Sequence, residues 1–272
     1  GAGGGIFAHG GKGGFSDGPT AKAGNGGKGA SGASGGAGGS IKLIAKLESS
    51  GSFGGFIDMT NGSTLDASGG AGSFAPLDGL MPLPNGGDGG SGMRFAGNGG
   101  DSSKTGFGGK GGTIELTGKK LNNAADLFAV GGNGGSGILK GGAGGEAFGE
   151  NPSDQTKGGT AGKGGTVRSA GYGGDGGKIT LSFTTGSTFI PGDAIVSSND
   201  ISTFGGNGGW MFNDIVNNVP TAGGKGGDGF TQGGDGGHVE SAGSGGKGGA
   251  LTITATTGGI NMSGFINTSG GF

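Results

Sequence analysis

The sequence contains no cysteine. Disulfide staples, thiol nucleophiles and cysteine-based zinc or redox motifs are therefore excluded, and redox logic assigns the chain to no compartment. Only seven of its 272 residues are proline, too few for a collagen triple helix, which also needs a strict Gly-X-Y register. No apolar run approaches the roughly 20 residues of a membrane-spanning helix. No basic stripe is present either: 17 basic and 19 acidic residues leave a net charge of −2, which argues against a nucleic-acid partner. Hydrophobic residues make up only 29%, too little for an ordinary globular core at this length. The first residue is glycine rather than Met and no signal-peptide pattern follows, so the chain reads as a processed form, a fragment or an incomplete sequence.

Glycine is abundant, with 85 residues against a usual share of about 7%. Glycine loses more backbone freedom on ordering than any other residue, so a flexible Gly/Ser linker is the default expectation. Two features oppose it. The glycines are in register, and β-prone apolar blocks recur between them.

One lead-in motif, Gly-Gly-x-Gly-Gly-x followed by apolar alternation, occurs four times. It runs Gly35–Leu43, Gly108–Leu116, Gly173–Leu181 and Gly245–Ile253. The apolar starts at Ile41, Ile114, Ile179 and Leu251 are 73, 65 and 72 residues apart. Each block then alternates apolar residues with Thr, Ser, Asn and Lys, the period-two pattern of half-buried strands. Pairs such as Asn61-Gly62 mark turns. Exit motifs follow at Gly131–Gly135 and Gly205–Gly209. The reading is a single repeat domain over 1–272 of about four units, with β blocks near 41–68, 114–130, 179–204 and 251–269 and glycine-rich segments between them. The repeat phase also runs through both termini, as expected of a module from a longer array or of a subunit that stacks head to tail.

Glycine at a three-residue period has a physical reading. A polyproline II helix has three residues per turn and rises about 3.1 Å per residue, so residues three apart share an edge. A Gly-Gly-x rod then has two bare edges, which let neighbouring backbones approach, and one edge carrying side chains. Such a rod has no internal hydrogen bonds, and its N–H and C=O groups must find partners on adjacent rods or in water. An eight-residue glycine segment and a seven-residue strand both span about 23–25 Å, so the two could share layers of one thickness. The expected fold class is all-β/irregular: a layered, β-solenoid-like repeat of short strands and packed polyproline II glycine helices, without significant α-helix.

Three resemblances follow from these segments. The stretches Thr252–Ala255 and Gly259–Thr268 resemble the right-handed β-helix repeats of secreted filamentous-haemagglutinin-type proteins. The Gly-Gly-x-Gly-Gly segments with variable loops resemble the polyproline II sandwich of phage long-tail-fibre adhesins, in which glycine motifs support receptor-binding loops; here strand blocks lie between the rods. The glycine-rod logic is also similar to springtail antifreeze proteins, which are smaller and carry cysteines.

Candidate chemistry is sparse. His9 and His238 have no Ser or carboxylate at a catalytic spacing and read as isolated surface residues. Asp88, Asp175, Asp228 and Asp235 occupy x positions and read as a solvated outer edge. Gly223–Thr231 fits one copy of the calcium β-roll nonapeptide, a pattern that needs tandem copies. No catalytic, cofactor-binding or metal-ligating residues are assigned, and no enzymatic activity is expected. The candidate interaction residues lie in two apolar loops: Phe74, Leu77, Leu80, Met81 and Leu83 in the loop 73–85, and Trp210, Met211, Phe212, Ile215 and Val216 in the loop 210–222. A third loop spans 146–157. These residues either cap the layers locally or contact a partner, since exposed apolar patches mark interaction sites. The functional expectation is a structural subunit or module of an extracellular or cell-surface filament, sheath or layer whose main partner is itself. The alternative is an adhesin whose loops meet a cell-surface receptor or glycan. Threonine rows such as Thr252, Thr254 and Thr256 suggest ice binding as a weaker third.

Overall fold

The computed structural model describes residues 10–18, 20–46, 55–59, 62–73, 85–148, 159–184, 193–211, 221–229 and 232–272. Among them there is no helix, and the regular elements are short strands. Four successive passes of the chain contribute three strands each: β1 (Ser40–Ile44), β2 (Phe56–Met59) and β3 (Thr64–Asp66); β4 (Thr113–Gly118), β5 (Lys120–Asn123) and β6 (Asp126–Phe128); β7 (Lys178–Phe183), β8 (Asp193–Ser197) and β9 (Ile201–Ser202); β10 (Ala250–Ala255), β11 (Gly259–Met262) and β12 (Ile266–Asn267). They form three four-stranded sheets, ordered β1-β4-β7-β10, β2-β5-β8-β11 and β3-β6-β9-β12. Every strand pairing is parallel. Each pass is thus one rung, and equivalent strands of successive rungs lie side by side.

The register follows the apolar alternation. Ile41, Ile114, Ile179 and Leu251 form one column, and Leu43, Leu116, Leu181 and Ile253 the next. Shifting a strand by one residue would turn its apolar set outward, so these columns fix the pairing. In the second and third rungs Ile114, Leu116, Leu121, Leu127, Ile179, Leu181, Phe183, Ile195 and Ile201 are fully buried. Their counterparts in the outer rungs, among them Ile41, Ile57, Leu65, Leu251 and Ile253, are only partly buried. The corners need tight turns, and Gly55, Gly62 and Gly258 take positive φ of 97°, 83° and 90° there, a region that a Cβ disfavours.

The glycine segments stack separately from the strands. Each rung has a long lead-in segment (21–39, 96–112, 159–177, 232–249) and an exit segment after its third strand (67–73, 129–137, 203–211, 268–272). A return segment (10–16, 85–92, 140–147, 221–229) runs antiparallel to the following lead-in. Bonds between equivalent segments of successive rungs are parallel and fall every third residue: Gly26, Gly99 and Gly164 N–H donate to the carbonyls of Asn98, Lys163 and Asp235, each at 2.8 Å. Bonds between antiparallel segments fill the other direction: Gly87 and Gly90 N–H donate to Gly27 and Gly24, and Gly100 and Gly97 donate to Gly87 and Gly90. Each rung is therefore a long glycine hairpin with the strand block at one end. Strands and glycine segments do not alternate within a sheet. Each kind bonds to its own kind in the next rung.

The triplet pattern breaks in the middle of the lead-in segments, at 102–105 and 166–170. Side chains replace glycine there, and they are buried: Ser102, Ser103, Thr105, Val167, Ser169 and Ala170, together with Ile138 and Leu139 from the opposing segment. The Thr105 hydroxyl donates to the Gly135 carbonyl and accepts the Gly171 N–H, so its burial leaves no unpaired polar group.

Candidate functional site

The close packing of the glycine segments depends on missing side chains. A Cβ on Gly86, Gly99, Gly142 or Gly164 would lie well under 3.0 Å from a backbone carbonyl oxygen of a neighbouring segment. Both backbones at such a contact are held by hydrogen bonds, so neither can yield cheaply. In the inner rungs the first glycine of a pair, such as Gly99, donates to the next rung, and the second, such as Gly100, donates to an antiparallel segment.

The x residue supplies the third bond. Asn25, Asn98, Asn85, Asp88, Asn133 and Asp175 accept, through Oδ1, the backbone N–H of the x residue one rung on: Asn98, Lys163, Lys140, Ala143, Asn207 and Lys247, at 2.8–3.0 Å. The triplet one rung on is thereby completed: in Asn98-Gly99-Gly100 all three backbone donors are bonded. Asp88 and Asp175 are not merely solvated, as their sequence position alone suggests. Each joins two rungs. The readable signal was the frequency of Asn and Asp at x, which has a reason only once the rung spacing is known. The bond also favours the ionised form of Asp175. The Lys247 N–H is the largest influence and outweighs partial burial, with Lys110 assisting, and it holds the carboxyl below its ordinary 3.8.

One ion-pair cluster crosses three rungs. The Arg168 guanidinium lies 2.7 Å from Asp101 Oδ2 and 3.0 Å from Glu240 Oε1. Burial alone would raise the Asp101 pKa, but the Thr166 N–H and Arg168 together hold it below 3.8. The hydrogen bond to Asp101 raises that of Arg168. These groups clamp the break in the glycine pattern rather than line a cleft. Among the described residues no three His, Asp or Glu side chains are placed to hold a metal ion. His238 is exposed, its Nδ1 3.4 Å from Thr166 Oγ1. His9 lies outside the described residues, as do Phe230 and Thr231 of the nonapeptide. No described helix is long and apolar enough to cross a membrane.

Of the candidate loop residues, Phe74, Leu77, Leu80, Met81, Leu83, Phe212, Ile215 and Val216 lie outside the described residues, as does most of 146–157. Trp210 is described and 64% exposed, with its backbone N–H donating to Ser136 Oγ at 2.8 Å. Met211 is half-buried and bridges Gly137. Thr252, Thr254 and Thr256 face outward. The row through Thr252 continues to Thr180, Glu115 and Lys42, the last two forming an ion pair of 2.9 Å, so it is not a uniform threonine row.

The two ends of the stack are the largest features that the sequence did not point to residue by residue. At the first-rung end a Cβ on Gly11, Gly14 or Gly39 would meet nothing within 4 Å. At the fourth-rung end a Cβ on Gly233 or Gly236 would meet only one atom, at 3.8 Å. The same columns clash in the inner rungs. Apolar side chains are exposed at the same ends: Leu43, Ile44 and Phe56 at one, Ile260, Phe265 and Ile266 at the other.

No protein-family model matches the chain, and no curated protein matches it. Among solved structures it is weakly similar to the nine-helix polyproline type II bundle antifreeze protein of the springtail Granisotoma rainieri. The TM-score is 0.12 at 22% identity, over 68% of this chain and 95% of that one, a likeness too weak to carry an argument.

Proposed function

We propose that the chain is a structural subunit or module of an extracellular filament, sheath or surface layer, built as a β-solenoid whose rungs are extended by packed polyproline II glycine rods. The observation that carries this reading is the contrast between inner and outer rungs. Leu116 and Leu181 are fully buried, while Leu43 of the same column is 38% exposed. An apolar column cut open at its ends favours being continued, because each further buried Leu or Ile contributes about 1.5–3 kcal/mol. Glycine suits such a material: the rods cohere through backbone bonds and demand no particular side chain outside. The three-residue spacing of the bonds supports polyproline II geometry, and the one-strand-per-rung sheets support the solenoid. The test is imaging and sedimentation of purified chain across concentration. Elongated particles that lengthen with concentration are expected, and a sharp monomer at the highest concentration would remove the reading.

A second reading is favoured by one observation. Trp210, Phe148, Phe95 and Phe15 are exposed where glycine segments end, beside the loops. An adhesin would use such aromatics against a receptor or glycan. Exchanging the loops 73–85, 146–157 and 210–222 should then change binding to cells, and unchanged binding would discard it.

A further inference from the structure

We infer that the occupant of each stack end is a second copy of this chain, seated head to tail in the register that continues the rungs; this rests on the assembly reading above and adds direction and register to it. The two ends match each other column by column. Between rungs, the first glycine of each pair donates its N–H toward the later rung. At the fourth-rung end, the N–H groups of Gly223, Gly226, Gly233, Gly236 and Gly270 consequently have no backbone acceptor among the described residues. At the first-rung end, the equivalent carbonyls of Lys12, Asn25, Lys28 and Ala37 receive no backbone donor among the described residues. The second glycines add the reverse pattern: among the described residues the N–H groups of Gly11, Gly14, Gly36 and Gly39 at the first-rung end have no backbone acceptor, and the Gly234 and Gly237 carbonyls at the fourth-rung end receive no backbone donor. Each unpaired group at one end has its partner in the same column at the opposite end, so continuing every column at once takes a heterologous contact that propagates.

The register follows from the columns. Placing the first rung of one copy as a fifth rung of another sets β1 parallel to the free edge of β10 and Ile41 beside Leu251. Asp235, next in the column after Asn25, Asn98 and Lys163, would offer its carboxylate to the Asn25 N–H of the next copy, as Asn25 does to Asn98. The bare glycines fit the same placement. Gly90, Gly145 and Gly227 each abut the carbonyl of the glycine below, Gly14, Gly90 and Gly145. Gly14 would abut Gly227 of the neighbouring copy in the same way. Gly26, Gly99 and Gly164 abut Gly87, Gly142 and Gly224, and Gly236 would abut Gly11 of the next copy. At about 4.8 Å per rung, four rungs give an axial repeat of roughly 19 Å.

The open glycines make this testable without harming the monomer. Gly14→Val blocks the first-rung end and Gly236→Val the fourth-rung end, and neither Cβ meets an atom closer than 3.8 Å in the single chain. Each variant alone should stay monomeric with an unchanged melting curve, while an equimolar mixture should give a dimer and nothing longer, since only one pair of open ends remains. Gly14→Ala and Gly236→Ala repeat the test if a valine variant melts early. Wild-type protein should form polymers with the roughly 19 Å repeat. A wild type that polymerises while either variant alone still polymerises or dimerises would overturn the register and keep the assembly reading. So would a mixture that stays monomeric. A wild type that remains monomeric at every concentration would overturn both.

Discussion

The strand block and the glycine segments solve the same problem by opposite means. In the strand block, inward-facing Ile114, Leu116, Ile179 and Leu181 exclude water, and the backbone ladder follows the side chains. In the glycine segments almost no apolar area is available. Cohesion comes from hydrogen bonds in two directions, made possible because nothing projects between the backbones. Each bond contributes only about 0.5–1.5 kcal/mol net, and each ordered glycine costs roughly 0.5–1 kcal/mol more than alanine would. The segments hold because the bonds are numerous and, in the inner rungs, engage both glycines of a pair. One region tolerates imperfect bonding and demands volume; the other tolerates no volume and demands bonding.

The largest effect should come from adding volume where none is allowed. Gly164→Val should abolish the cooperative unfolding transition or lower stability by about 3 kcal/mol or more, because its Cβ meets the Gly224 carbonyl. Gly236→Val, one rung on in the same column, should leave the denaturant midpoint unchanged. Removing volume from the strand block comes next. Leu181→Ala should cost about 2–5 kcal/mol, and Leu43→Ala in the same column clearly less, since Leu43 is already partly exposed in the single chain.

Removing one bond from the glycine segments should be milder. Asn133→Ala deletes the acceptor of the Asn207 N–H and should cost about 1 kcal/mol, with faster amide exchange confined to Asn207. The smallest effect concerns acid. The Asp101 pKa is depressed in the folded state, so its contribution is complete above the unfolded value near 3.8 and is lost as pH falls through the lower folded value. Asp101→Asn should therefore flatten stability against pH below about 4 and change nothing in the slope between pH 6 and 8. A pH-resolved thermal melt reads both.

Much of the strand block was legible in the sequence because its cause is local. Alternation around Ile41, Ile114, Ile179 and Leu251 announces half-buried strands, and the structure brings those four positions into one column. Pairs such as Asn61-Gly62 were legible as turns, and Gly62 takes a positive φ there, but a turn signal does not say which strands then pair, so the grouping into three sheets was not legible. The Asx bonds were hidden for a related reason. Asn98 and Lys163 are 65 residues apart, and only the rung spacing sets one above the other. The repeat phase suggested stacking ends, but not the residues that form them, because Gly14 and Gly90, or Gly164 and Gly236, share the same Gly-Gly-x pattern and differ in what lies beyond them. Of the apolar loop residues singled out, the described ones, Trp210 and Met211, border a glycine segment rather than the strand core.

Amide hydrogen exchange on the purified chain tests most directly whether the glycine segments are packed rather than loose. Bonded rods predict that the amides of Gly99, Gly100, Gly142 and Gly145 are protected to the same order as those of Ile114 and Leu116, and that Gly233 and Gly236 exchange freely in the monomer. Glycine amides exchanging throughout at unfolded-chain rates beside a protected strand block would contradict it.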